Sequence, residues 1–195
     1  AIREKALGPG HLDVAIALDN LVTLLGDGDR YAEAEPFARR SLALREAALG
    51  ASHPLVANSL NNLAVILDST GRAQEAEPLL KRALNIRLHA LGETHPDVAS
   101  SLVNLGAHFL DLQDWPQARA AFARAVAIQS ARRVAEFGEE GRSDLKARED
   151  TNPYPGLITA AYNLARAASD EQRSALRSQA FEAAGGEFML GSTQQ

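Results

Sequence analysis

The chain repeats itself every 42 residues. "HLDVAIALDNLV" begins at His11, "HPLVANSLNNLA" at His53 and "HPDVASSLVNLG" at His95. Extending the register gives three gapless units, 6–47, 48–89 and 90–131, each opening on "ALG". His11, His53 and His95 coincide, as do Val14, Val56 and Val98, then Leu18, Leu60 and Leu102, then Asn20, Asn62 and Asn104. A strict period of this length means one supersecondary unit written three times. Such a unit cannot bury its apolar face alone and must stack on its neighbours.

Inside a unit the spacing is helical. Val56, Leu60, Leu63 and Leu67 follow steps of three and four, which puts them on one face of a helix. Pro54 suits the first helical turn, where its missing N–H costs nothing. Gly71 suits the left-handed residue that ends the helix. A second stripe, Ala76, Leu79 or Leu80, Ala83, Leu84 and Ile86, runs toward Gly92. Each unit therefore reads as helix, tight turn, helix and short loop. Small residues stand where the two helices must approach: Ala64 or Gly106 on the first, and Ala34, Ala76 and Ala118 on the second. Phe109, Trp115 and Phe122 fill the space beside them.

Composition excludes several classes. With no cysteine, disulfides, thiolate metal sites and cysteine nucleophiles are absent. A net charge of −5 argues against a counterion-displacing nucleic-acid surface. No apolar run approaches the roughly 18 residues of a membrane span, and "AIREKALG" reads as a chain cut in mid-helix rather than a signal peptide. These features predict a soluble, cytoplasmic fragment without cofactor, nucleic-acid or membrane partner.

"NNLAVILDSTGRAQEAEPLLKRAL", with the phrase "LGxxHPxVAxSLxNLA", resembles the tetratricopeptide repeat in its 42-residue form, similar to kinesin light chains and many bacterial proteins. The resemblance implies an all-α, right-handed superhelical solenoid of antiparallel helix pairs: three regular repeats followed by a degenerate C-terminal pair. It also implies a protein–protein interaction module. The sequence departs from the pattern in three places. Gln113-Asp114 stands where the turn has glycine, so that turn is expected to be built differently. Pro36 and Pro78 lie inside second helices and should kink them. Val134 replaces the closing glycine, so the last helix should run on to Gly138, ending a solenoid over 1–138. Beyond it, 139–153 reads as a loop, and 154–184 as a capping helix pair with "YNLA" echoing "NNLA". The tail 185–195 reads as cloning-derived, since Glu-Phe and Gly-Ser are what common cloning sites encode. "GLITAAYNLARAA" and "RSQAFEAA" resemble the segment joining such repeats to a caspase-like CHAT peptidase domain in large bacterial proteins. That resemblance implies the alternative of a regulatory arm whose catalytic domain lies outside this chain.

First helices should line the concave side of the stack, where Asn20, Asn62 and Asn104 form a ladder of one amide per repeat. Around it stand Asp19, Thr23, Asn58, Asn61, Val65, Ser100, Val103 and Ala107. An amide both donates and accepts, which suits the backbone of an extended peptide of any sequence; contact of groove asparagines with peptide is also what the resemblance implies. The competing reading makes these amides bond to the neighbouring repeat and set the stacking. Asn58 and Asn61, with no evident structural task, tip the balance toward binding. Asp19, Asp68 and Asp111 would favour a basic ligand. The three histidines fall one per repeat, too far apart to share an ion whose ligands sit about 2 Å away, and read as loop and cap residues. Glu33, Glu35, Glu75 and Glu77 complement helix dipoles. Arg39-Arg40 and Lys81-Arg82 read as solvated faces. No catalytic constellation stands out, so an enzyme is not expected.

Overall fold

The computed structural model describes Gly8 and residues 10–137. The loop, capping pair and tail expected over 139–195 lie outside the described residues. Six helices follow one another: α1 Leu12–Asp27, α2 Tyr31–Leu49, α3 Pro54–Ser69, α4 Ala73–Leu91, α5 Pro96–Asp111 and α6 Trp115–Phe137. Among the described residues there is no strand. The fold is an all-α solenoid of helix pairs, matching the three units in the sequence.

The histidines start the first helices. Nδ1 of His11, His53 and His95 accepts the backbone N–H two residues on, at 3.1, 3.2 and 3.1 Å. That satisfies one of the donors a helix start leaves orphaned. Pro54 follows at the first helical position, as expected.

The tight turn within each pair has one geometry in all three repeats. Asp29, Gly71 and Gln113, equivalent positions, take φ of 55°, 77° and 60°. The next N–H reaches back to Leu25, Leu67 and Phe109 carbonyls at 2.8 Å each time. The third turn was expected to differ for want of glycine. Instead the repeated hydrogen bonds hold Gln113 and Asp29 in the left-handed region, which disfavours side-chained residues by about 1–2 kcal/mol. Between repeats, Gly50 and Gly92 close α2 and α4 at φ of 85° and 84°. α2 and α4 continue through Pro36 and Pro78 to their full 19 residues. α6, with no glycine at position 134, runs on for 23 residues.

The chain divides into two compact units, the first ending at Asn104 and the second beginning at Leu105. In the first, α1 packs on α2, α2 on α3 and α3 on α4. Val56, Ala57 and Leu60 of α3 meet Ala83 and Ile86 of α4, with Leu42 and Leu79 against them. Ala34 and Ala76 are fully buried, as the close approach requires. Each buried leucine contributes about 1.5–3 kcal/mol, so repetition of the stripe is what stabilises the stack. In the second unit, Phe109 and Phe122 are buried, and Trp115 is half-buried at the start of α6. A Cβ on Gly106 would lie 2.8 Å from the Phe122 ring. Glycine there makes room for the aromatic.

Candidate functional site

The first helices carry two kinds of polar residue, and the structure separates them. The first kind serves the stack. Arg45 of α2 is buried; it pairs with the Asp19 carboxylate of α1 and donates to Ser59 Oγ of α3 at 2.6 Å. Ser41 donates to the same carboxylate. One repeat later, the equivalent Arg87 is buried too. It donates to Ser101 Oγ at 2.7 Å, to the Asp97 backbone carbonyl at 2.8 Å and to Asn58 Oδ1 at 2.7 Å. Burial pushes the Arg87 guanidinium below its ordinary pKa, against the opposing charge of Asp97. Each arginine thus ties a second helix to the first helix of the following repeat. Sequence reasoning missed these clamps, although Arg45 and Arg87 fall in register, and so do Ser59 and Ser101.

Three expected ligand residues belong to these clamps instead. Asp19 is committed to Arg45 and Ser41, so its charge is already matched within the stack. Asn58 accepts from Arg87. Asn61 is 5% exposed and directs its amide N–H toward Ser101 Oγ at 3.4 Å. The physical reason is helical rotation: one residue is a turn of about 100°. Asn61 is therefore buried toward the next repeat, while Asn62 is only half-buried. The assumption that Asn58 and Asn61 had no structural task is overturned.

The second kind of polar residue has no such use. Asn20 is exposed, and Asn62 and Asn104 are half-buried. Among the described residues none of these three side chains makes a hydrogen bond. Nearby on the same helices, Thr23 is exposed and bonds its hydroxyl to the Asp19 carbonyl. Val65 is 45% exposed. Ser100 is half-buried and bonds its hydroxyl to the Pro96 carbonyl. Val103 is half-buried, and Ala107, in the second unit, is exposed.

The second helices carry a surface network of ions. Arg72 grips both oxygens of Glu35 at 2.9 Å while also holding Glu75. Arg82 bridges to Glu46 at 2.6 Å. Hydrogen bonds from Arg39 and then Arg72 hold the Glu35 carboxyl below its usual range. Glu35 thus does more than complement a helix dipole: with Glu46 it joins adjacent repeats. Among the described residues no cluster of three His, Asp or Glu side chains is arranged to hold a metal ion. Nor is any described helix long and apolar enough to cross a membrane.

Helix pairs in strict register, clamped between repeats and presenting outward amides, define a repeat protein of the helical-solenoid class. The sequence model described as "Tetratricopeptide repeat" matches residues 13–89 and 70–131. The chain belongs to the tetratricopeptide repeat family. Among solved structures, it is similar to BtubC (BKLC) from P. vanneervenii, with 22% identity and a TM-score of 0.63 over 93% of this chain and 66% of that one. It is also similar to the nearly identical kinesin light chain-like repeats from Podosopora anserina, with 19% identity and a TM-score of 0.59 over 91% of this chain and 90% of that one. At these identities the likeness is one of fold. No curated protein matches the chain. Tetratricopeptide repeats are generally non-catalytic modules of protein–protein interaction.

Proposed function

We propose that the chain binds an extended peptide segment of a partner protein along the exposed face of its first helices. The observation that supports this best is the unspent amide ladder. Asn20, Asn62 and Asn104 recur in register, lie outside the core and take no part in the clamps that fix the stack. A side chain kept in every repeat without an internal partner is available to an external one. Each amide can accept a peptide N–H and donate to a peptide carbonyl, so the ladder reads backbone and tolerates many sequences. Thr23, Val65, Ser100 and Val103 border the face and supply side-chain contacts. Asn58, Asn61 and Asp19 act one layer below, holding the repeats at the spacing the peptide meets.

Displayed random peptides, panned on the folded chain and on the Asn62→Ala/Asn104→Ala variant, test the proposal. Binders recovered on the parent chain should fail on the variant. Equal recovery on both would refute the amide-ladder mechanism.

A further inference from the structure

Resting on the peptide-binding reading, we infer that Ile16 and Leu55 form a subsite for an uncharged aliphatic side chain of that peptide. Both are large apolar residues left in solvent, 47% and 41% exposed. Single exposed aliphatics are ordinary; the register makes these two a pair. Their counterparts one repeat later are Asn58 and Asp97. There one guanidinium, that of Arg87, reaches the Asn58 side chain and the Asp97 backbone together. The two positions are therefore neighbours across adjacent first helices. In the earlier repeat the same positions hold isoleucine and leucine, and Ile16 offers a guanidinium no acceptor. Arg45 instead bonds to Asp19 and Ser59.

The charge pattern decides the occupant. Arg45 and Asp19 neutralise each other, so neither an incoming carboxylate nor an incoming ammonium finds an unmatched charge. A charged side chain placed over Ile16 and Leu55 would lose water without gaining a partner. An aliphatic side chain gains by burial against two others. The repeat that supplies an apolar pair is thus chemically distinct from the next, where Asn58 and Asp97 are polar. Along a ladder of otherwise equivalent amides, this difference gives the peptide a direction and a register.

The test compares the parent chain with Ile16→Asn/Leu55→Asp, which installs the residues of the following repeat. Both sites are exposed, and α1 and α5 already carry aspartate as second residue, Asp13 and Asp97, so the variant should melt like the parent. Random peptides selected on the parent should share an aliphatic residue at one fixed position. A selected peptide should bind the variant about tenfold more weakly, and its Leu→Asp derivative should bind both proteins equally poorly. Selection without an aliphatic position, or unchanged affinity on the variant, overturns the subsite while leaving the amide ladder standing. Failure to select any peptide overturns the ladder and the subsite together. Light scattering adds a further outcome: a dimer of the parent that the variant abolishes, with peptide affinity unchanged, makes the pair a self-association surface and also overturns the inference.

Discussion

Removing the Asp19 carboxylate separates a stacking role from a ligand role. In Asp19→Ala the Arg45 guanidinium keeps only its hydrogen bond to Ser59 and remains buried. Stranding one partner of a buried ion pair costs about 3–5 kcal/mol. The Asp19 side chain is 17% exposed, so water can partly replace it, and the lower end, about 3 kcal/mol, applies. Ser41 also loses an acceptor, but it still reaches the Ala15 carbonyl at 3.3 Å, so it adds little. Asp19→Asn keeps an oxygen for Arg45, so about 1 kcal/mol is expected there. Urea unfolding followed by circular dichroism at the helical band measures both, as a shift in midpoint at constant slope. Loss of peptide affinity should not exceed what unfolding explains. An Asp19→Ala variant within about 0.5 kcal/mol of the parent, or one that loses affinity for basic peptides alone, would refute the assignment of this carboxylate to the stack.

Gly106→Ala gains about 1 kcal/mol of helix propensity but drives a methyl into the buried Phe122 ring, an overpacking cost of about 1–3 kcal/mol. The net should be destabilising by calorimetry, and Phe122→Leu in the same chain should relieve the clash. Gln113→Gly should stabilise by about 1 kcal/mol, because φ is 60° at that residue; a neutral or negative change would mean the turn carries no strain. The Glu35 carboxyl is held below its ordinary pKa. Its contribution is therefore present above that ordinary value and is lost as pH falls through the lower folded value. Glu35→Gln should flatten the acid limb of a stability-versus-pH curve, and an unchanged limb would refute the bridge.

The repeat made most of the fold legible. Apolar spacing gave the helix pairs, alanine at positions 34 and 76 gave the close approach, and the in-register histidines, two of them before proline, gave the helix starts. The Gln113 turn was not legible, because local residue preference lost to two backbone hydrogen bonds shared with the other turns. The site was legible only in part. Adjacent residues such as Asn61 and Asn62 carry the same chemistry, and the angle between them buries one and leaves the other half-buried. Only the long-range pairings of Arg45 with Ser59 and Arg87 with Ser101 reveal which polar residues are spent on stacking. Those pairs span repeats, so no reading of a single repeat could expose them.

The central claim is that amides left over from stacking hold a partner's backbone. Titration calorimetry of one selected peptide against Asn62→Ala/Asn104→Ala, with melting curves on the same samples, tests it most directly. Four lost hydrogen bonds, two per amide, of about 0.5–1.5 kcal/mol each should weaken binding about thirtyfold or more, with the melting temperature moved by less than about 2 °C. Affinity and melting temperature falling together would contradict the account, because the amides would then belong to the stack.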